Sequence, residues 1–509
     1  MYRKPLSAAI AAVTLILAPA HATFAADEPL ELTLKEAVRL AITRNLDVKA
    51  ELYNPAQAEA DIRRNRAIYE THLTLNSSYQ DSTLVSTNQF ATSEIKTFKL
   101  SPGAYQLFPT GGTLGVTFNN TYTDTNSTTS INPVTNTVTN LSNYWQSNVT
   151  FTLNQPLLKN FGRDTTELNI QVAELGKEGA LQRYKGKLLA IVAQVRSEYH
   201  KLYSLRKDLE SRKTSLDLAR RILSDTDARV KAGVLPAMEI LNAQFGVASR
   251  EKELIDAEKA VRDEVDVLQV LLQFDANRDL LTVDPPELTE FTTNEEESVR
   301  QALAQRPELD DLKSQLASGE IQTRVAHNRT RPDLNLTSSL ALTGLAEGYG
   351  RNMERVGSTD YPIWTIGIQL DYPLGNSAAE NDYIKSRLKT DQIRTQLDSL
   401  KSSIASEVRT ALRNVKASYK QLDVADRGRA YADERLKAYL KKSEVGLATT
   451  KDVLDVENDL SAARTNQIKA QVVYSNAISQ FLKTTGQLLE REGITVSAIP
   501  ADELYGKAR

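Results

Sequence analysis

The chain has 509 residues, with 62 Lys and Arg against 65 Asp and Glu, so its formal net charge is −3 at pH 7. Nucleic-acid-binding proteins usually carry a basic excess, so this balance argues against nucleic acid as a partner. The absence of Cys excludes disulfides, thiolate catalysis, Cys-ligated zinc and iron–sulfur clusters. Only 22 Gly and 16 Pro occur, which predicts long uninterrupted elements.

The first residues have the pattern of a secretory signal peptide. Arg3 and Lys4 form a basic start, an apolar stretch runs from Leu6 to Ala18, and small residues follow Pro19. The alternative is a membrane anchor helix. The apolar stretch is too short to cross a hydrocarbon core of about 30 Å. We therefore expect residues 1–25 to be a signal peptide that is removed on export.

The rest of the chain contains two similar halves. Residues 36–42 (EAVRLAI) resemble residues 297–303 (ESVRQAL) at an offset of 261. Residues 154–157 (NQPL) resemble residues 371–374 (DYPL) at an offset of only 217, so the first half carries 44 extra residues. Such self-similarity predicts a repeated architecture. The predicted ranges are 26–285 for the first repeat, 286–499 for the second and 500–509 for a C-terminal tail, with the insertion at about 80–143.

The insertion is rich in Thr, Asn and Ser, which is typical of an exposed loop or an extended hairpin. Outside it, each repeat has the pattern of a helix, a strand pair and a long helical hairpin. In one predicted strand Trp364, Ile366 and Ile368 alternate with small or polar residues. This period of two fits a sandwich packed on a soluble core, and it also fits a barrel with lipid outside and water inside.

Aromatic residues near the predicted strand ends stand where the interface girdles of a membrane barrel would lie. They are Tyr144, Trp145, Tyr361, Trp364 and Tyr372. With about two strands in each repeat, or more in the longer first repeat, one chain has too few strands to close a barrel. Such barrels need at least about eight strands, so several chains would have to contribute to a common one.

The predicted helices are long rods. Apolar residues near the C-terminus, among them Val456, Leu460, Tyr474 and Phe481, follow an alternating spacing of four and three, the period of a left-handed coiled coil. Helices over about 178–232 and 378–445 would be about 80 and about 100 Å long. Rods of this length cannot fold back into one compact core and must pack side by side.

Each rod is expected to reverse at a glycine, Gly233 in the first repeat and Gly446 in the second. Glycine accepts the left-handed conformation that commonly ends a helix. The residues beside these turns are apolar, and an exposed apolar turn needs a partner or a neighbour to cover it. They are Val234 and Leu235 in the first repeat, and Val445 and Leu447 in the second.

Several segments in order resemble the TolC-like outer-membrane efflux family, and the resemblance covers nearly the whole mature chain. They are residues 34–41 (LKEAVRLA) followed by Asn45, residues 109–114 (PTGGTL), residues 155–158 (QPLL) with Phe161 and Gly162, residues 445–447 (VGL) and residues 452–455 (DVLD). The resemblance implies a mainly α fold with β. Internally duplicated antiparallel helical hairpins would form a coiled-coil α-barrel, and antiparallel strands would form a trimeric transmembrane β-barrel with four strands from each chain.

The resemblance also implies a function: the outer-membrane channel-tunnel of a tripartite efflux or type I secretion system in a Gram-negative bacterium. The partners would be two further copies of the chain, a periplasmic adaptor protein, an inner-membrane pump and outer-membrane lipid. No enzymatic activity, cofactor or metal is expected. The alternative is a non-transporting periplasmic or surface coiled-coil structural protein.

By the same resemblance, Asp452 and Asp455 would form acidic rings at the periplasmic gate. Glu239 is the counterpart of Asp452 in the first repeat. Like charges at close range repel one another and attract cations. The alternative role of Asp452 is to cap the returning helix, where a carboxylate meets the positive end of the helix dipole. The two roles are compatible.

The chain departs from the family pattern at Ser443 and Ala448, where some members carry a gating Tyr and Arg. A latch built on those two side chains is therefore not expected, and pairs of Lys442 or Lys451 with an acid are alternatives. The three His of the mature chain lie far apart without metal-ligand spacing, and we expect them on the surface. They are His72, His200 and His327.

Overall fold

The computed structural model describes residues 30–83, 94–126, 130–131, 138–139, 142–274, 279–496 and 502–504. The predicted signal peptide lies outside the described residues, and so do parts of the predicted insertion and of the C-terminal tail.

The strands and helices alternate in two similar series along the chain. The strands are β1 Leu30–Leu32, β2 His72–Thr83, β3 Glu94–Leu107, β4 Thr113–Thr125, β5 Ser130–Ile131, β6 Val138–Thr139, β7 Asn143–Pro156, β8 Leu280–Thr282, β9 Asp333–Ala346 and β10 Pro362–Asp371. The helices are α1 Leu34–Arg44, α2 Leu46–Arg66, α3 Arg163–Thr166, α4 Leu168–Lys231, α5 Met238–Leu272, α6 Glu295–Gln305, α7 Pro307–Arg329, α8 Tyr349–Ser358, α9 Ser377–Glu444, α10 Thr450–Thr485 and α11 Leu488–Arg491.

Six strands form one antiparallel sheet in the order β10-β9-β7-β4-β3-β2. The first half of the chain supplies four of them and the second half two, so this sheet has two strands more than the four per chain that the resemblance implies for the barrel. The two additional strands, β3 and β4, lie within the predicted insertion. Their period-two alternation places their apolar side chains on the same face of the sheet as those of the neighbouring strands.

The register of the sheet separates an apolar face from a polar face. One row of directly opposite residues crosses all six strands on the apolar face: Leu73, Ala104, Val116, Phe151, Leu340 and Trp364. The neighbouring row on the polar face is His72, Tyr105, Gly115, Thr152, Ser339 and Thr365. Side chains alternate between faces along each strand, so the two rows lie on opposite sides.

The four long helices form two antiparallel hairpins, α4 with α5 and α9 with α10. Helix α4 has 64 residues and α9 has 68, so each rod is about 100 Å long. The structure starts α4 at Leu168, ten residues before the predicted start. The early glycines Gly176 and Gly179 do not stop the helix, because a glycine inside a helix costs only about 1 kcal/mol.

The predicted coiled-coil stripe is buried between the helices: Tyr474 and Phe481 belong to the main core, and Val456 and Leu460 to a smaller cluster nearer the tips. Val456, Leu460, Tyr474 and Phe481 are each at most 2% exposed. Next to this stripe, the Tyr199 hydroxyl donates to the carbonyl of Leu32 at 2.7 Å. That bond ties α4 to the small parallel sheet of β1 and β8, which joins the start of the first repeat to its end.

None of the helices in the described ranges is both long and apolar enough to cross a membrane.

Candidate functional site at the hairpin tips

The two hairpins reverse by the same backbone device. Gly233 has φ 75° and Gly446 has φ 76°. The amide of Val234 donates to the carbonyl of Arg229 at 2.9 Å, and the amide of Leu447 donates to that of Lys442 at 2.8 Å. Both bonds close the last helical turn across a left-handed residue. The two predicted turn glycines therefore lie at the tips.

The tips present apolar side chains to their surroundings. Val234, Val445 and Leu447 are 70%, 70% and 77% exposed, while Leu235 is half-buried. Exposed apolar side chains clustered at the end of a rod are typical of a contact surface.

The two tips lie side by side in one chain. The Arg229 guanidinium of α4 donates to the carbonyl of Ser443 at 2.8 Å. The hydroxyls of Thr226 and Thr450 are 3.3 Å apart. Ser443 therefore joins the hairpins through its main chain, so this contact does not depend on the family's Tyr at that position.

Asp452 caps helix α10 in the structure. Its carboxylate accepts hydrogen bonds from the amide and the hydroxyl of Thr449 at 2.9 and 2.8 Å. Its own amide donates to the Thr449 hydroxyl at 3.1 Å, completing a capping box. The amide and then the hydroxyl of Thr449 lower the pKa of Asp452, so its exposed carboxylate is held in the charged form.

The structure brings together two of the three predicted gate acids. Glu239 and Asp452 line one cleft between the tips, together with Arg229. Asp455 is exposed one turn further along α10 and does not line this cleft. One carboxylate oxygen of Glu239, Oε2, is buried and has no hydrogen-bond partner within the described part of the chain.

Of the two lysines expected to pair with an acid, Lys442 lies over the aromatic ring of Tyr439, with its Nζ 5.0 Å from the ring centre. The charge of Lys451 is a minor cause of the lowered pKa of Asp452.

A buried ion pair that the sequence does not predict lies behind the tips. Arg250 of α5 donates to Glu457 of α10 at 2.6 and 3.1 Å, and the two side chains are only 4% and 6% exposed. The Ser215 hydroxyl of α4 donates to the other oxygen of Glu457. Arg250 also reaches Asn458 at 2.6 Å. This network joins three helices from both hairpins. The position of Glu457 next to the apolar stripe indicates a buried charge, but it does not identify Arg250 as the residue that pairs with it.

The expectation that all three histidines lie on the surface is wrong for His200. It is 2% exposed, and its ring meets that of Tyr199 edge to face at 5.6 Å. Burial lowers the pKa of His200 to about 4. His72 and His327 are exposed. Across the described ranges, no group of three or more His, Asp or Glu side chains is placed to hold a metal ion.

Four of the five predicted girdle aromatics gather at the end of the sheet away from the long helices. Tyr144 and Trp145 begin β7, Tyr361 directly precedes β10, and Trp364 follows within it. Tyr372 stands alone among the five at the opposite end. The ring of Trp145 packs between those of Tyr122 and Tyr349, at 5.1 and 5.0 Å.

Helix α8 packs on the apolar face at the same end of the sheet. The amide of Asn352 donates to the Ser147 hydroxyl at 2.6 Å, and that hydroxyl donates to Asn120 at 2.9 Å. All three residues are at most 5% exposed. The helix approaches the sheet closely at Gly344, where an added Cβ would lie 2.4 Å from the carbonyl oxygen of Asn352.

Known proteins share both the sequence pattern and the fold. The model of the outer membrane efflux protein family matches residues 37–272 and 298–487. The pyoverdine export outer membrane protein OpmQ of Pseudomonas aeruginosa is 21% identical over 305 residues, which are 58% of this chain and 61% of OpmQ. The match therefore spans about three fifths of that relative.

Two solved structures superpose over most of the chain. The CmeC outer membrane channel of Campylobacter jejuni is 16% identical, with 94% of this chain and 89% of CmeC covered and a TM-score of 0.64. The outer membrane protein VceC of Vibrio cholerae is 15% identical, with 89% and 96% covered and a TM-score of 0.65. They confirm the predicted combination of long helical hairpins and antiparallel strands. Because the family model matches most of both repeats, the chain belongs to the outer membrane efflux protein family.

Proposed function

We propose that three copies of this chain form the outer-membrane channel of a tripartite export system. One observation carries the proposal: a sheet with one apolar and one polar face leads directly into two helices about 100 Å long, each the longer arm of a helical hairpin. An apolar outer face suits lipid, and a polar inner face suits a water-filled pore. The hairpins of three chains would extend that pore as a helical tunnel into the periplasm.

The apolar tips support docking of a periplasmic adaptor, which would link the channel to an inner-membrane pump. Val234, Val445 and Leu447 would supply the contact surface. The turn glycines Gly233 and Gly446 would allow a close approach, because they carry no side chain.

The acids at the tips support a cation-attracting gate. In a trimer, Asp452 and Asp455 would each supply three carboxylates around one axis, with Glu239 in the cleft that Asp452 also lines. A mouth lined by one sign of charge concentrates counter-ions. The cap at Asp452 favours this role, because Thr449 holds the carboxylate charged at the mouth.

Single-channel recording in planar bilayers tests the proposal. We expect discrete, cation-selective conductance from the detergent-extracted protein, and a loss of selectivity in the Asp452→Asn/Asp455→Asn double variant. Thr449→Ala is the matched control, because it removes half of the capping box while both exposed carboxylates stay charged at neutral pH even without the cap. Its selectivity should stay that of the unmodified protein.

The other outcomes are equally informative. Conductance with unchanged selectivity in the double variant would keep the channel and contradict the acidic gate. A protein that fractionates as soluble and conducts no current would contradict the channel and favour the coiled-coil structural alternative.

A further inference from the structure

We infer that the β3–β4 hairpin, which has no equivalent in the second half of the chain, spans the membrane as part of the pore wall. The inference rests on the proposed assembly of three chains into one barrel. With six strands from each chain, that barrel has eighteen strands, where four strands per chain would give twelve.

The hairpin is paired along both of its sides. Strand β3 pairs with β2 from Tyr105 to Glu94, and β4 pairs with β7 from Thr113 to Asp124. The strands have 14 and 13 residues. A tilted strand needs about 9–11 residues to cross the hydrocarbon core. Both strands are therefore long enough to span it, and neither leaves an open edge inside the sheet.

The hairpin also has one apolar and one polar face, on the same sides of the sheet as its neighbouring strands. On the apolar face, Val116 lies directly opposite Phe151 of β7, and Phe98 lies opposite Tyr122. On the polar face, Thr117 lies opposite Thr150. A hairpin surrounded by water on both faces would not be stabilised by a row of apolar side chains. A strand between lipid and a water-filled pore requires this alternation.

The turn of the hairpin is fixed to the end of β7 and to the loop between β7 and α3. Gln155 and Thr110 exchange two hydrogen bonds of 2.8 and 3.1 Å, and the amide of Gly162 donates to the carbonyl of Thr110 at 3.0 Å. At Gly111, with φ 85°, an added Cβ would lie 2.6 Å from the carbonyl oxygen of Asn160. The hairpin is therefore held in line with the other strands at its base.

The added strands change the exit of the channel. For a strand spacing near 4.8 Å and a tilt near 40°, eighteen strands give a backbone radius of about 18 Å, against about 12 Å for twelve. The inner wall of the hairpin carries hydroxyl and amide side chains, such as Thr117, Asn119 and Thr121, together with Lys99. This wide, hydrated lining suits the passage of polar solutes. The narrowest part of the channel, which limits solute size, would then lie in the helical tunnel and not in the barrel.

Site-directed spin labelling tests the inference, and the absence of native Cys makes every introduced Cys unique. We would label Val116→Cys and Thr117→Cys in the full chain reconstituted in phospholipid vesicles. Their cross-strand neighbours in β7, Phe151→Cys and Thr150→Cys, are matched controls. Collision with oxygen reports lipid exposure, and collision with a water-soluble nickel chelate reports water exposure.

We expect oxygen to dominate at Val116 and Phe151, and the nickel chelate to dominate at Thr117 and Thr150. Alternation at the β7 controls with water exposure at both β4 positions would overturn the inference and leave the proposed channel intact. No alternation at the controls would overturn the proposed barrel itself. Electron microscopy of the trimer in nanodiscs gives a second readout: a backbone radius of about 18 Å supports eighteen strands, and about 12 Å contradicts them.

Discussion

Arg250 and Glu457 are a charged pair held almost entirely out of water, and each depends on the other. When one member of such a pair is removed, the remaining charge stays buried without compensation, which costs about 3–5 kcal/mol. Replacing both members by apolar residues of similar size is often neutral or stabilising.

We therefore expect Glu457→Gln to lower the free energy of unfolding by about 3–5 kcal/mol. Arg250→Met/Glu457→Leu should recover most of that loss. Chemical unfolding in detergent, followed by helical circular dichroism, measures both. Arg435→Ala is the control, because its 2.7 Å pair with Asp459 is about half exposed and should contribute under about 1 kcal/mol. Equal losses in the single and double variants would contradict the argument.

His200 makes the stability of the helical body depend on pH. Its pKa of about 4 in the folded protein lies below the ordinary value of 6.5. Between these values the unfolded chain binds a proton that the folded chain does not, so stability falls as the pH falls from about 6.5 to about 4. The upper bound of this loss is about 3 kcal/mol.

We expect the His200→Leu variant to lose less stability than the unmodified protein between pH 7 and pH 4. Thermal unfolding at a series of pH values measures the difference. His327→Leu is the control, because His327 is exposed. A pH profile of His200→Leu that is parallel to that of the unmodified protein would show that His200 is not the titrating group.

At the scale of elements, the docking of α8 depends on the small side chain at one position of β9. At Gly344 a Cβ would lie 2.4 Å from the carbonyl oxygen of Asn352 and 2.8 Å from a methyl group of Val356. The side chains of Arg351 and Arg355 in α8 are already exposed, but their backbone is held in the helix. We expect Gly344→Val to release α8 from the sheet, so that its backbone unfolds locally and trypsin cleaves after these arginines.

The measurement is the rate of tryptic cleavage within residues 349–358, together with the fluorescence of Trp145, whose ring contacts Tyr349. Gly350→Val is the matched control, because an added Cβ there meets no atom within 4 Å. Equal cleavage in both variants would mean that the contact at Gly344 does not hold the helix.

The sequence predicts elements well where the signal is local. The four-and-three spacing around Val456 and Leu460 predicts the coiled-coil stripe, because a short stretch of chain contains it. Turn chemistry predicts the tips at Gly233 and Gly446 for the same reason. Other features depend on residues far apart in sequence. They are the number of strands in the sheet, the packing of α8 against the sheet and the identity of the charge that pairs with Glu457. Periodicity does not specify which strands pair or which charge meets which.

At the scale of the whole molecule, the two edges of the sheet determine how it can close. Strand β2 leads away from the helical body and β10 returns to it, so a junction between β2 of one chain and β10 of the next is antiparallel. Every other junction in the sheet is antiparallel as well. Trp364 and Ile368 of β10 are each 71% exposed, and Leu73 of β2 is 84% exposed. Unpaired backbone at these edges could not remain in lipid.

Closure through these edges predicts a specific pattern of cross-linking. With Thr365→Cys in β10, one of Thr74→Cys, Asn76→Cys or Ser78→Cys in β2 should form a disulfide between neighbouring chains, because all four lie on the polar face. Oxidation in the membrane should then give covalent dimers and a closed trimer on a denaturing gel. Thr152→Cys, combined with the same β2 positions, is the control, since both neighbours of β7 belong to its own chain. Monomers at these three positions and also at the remaining polar-face positions of β2, His72, Gln80 and Ser82, would contradict closure between β2 and β10, because an antiparallel junction along β2 brings one of the six opposite Thr365 or next to it.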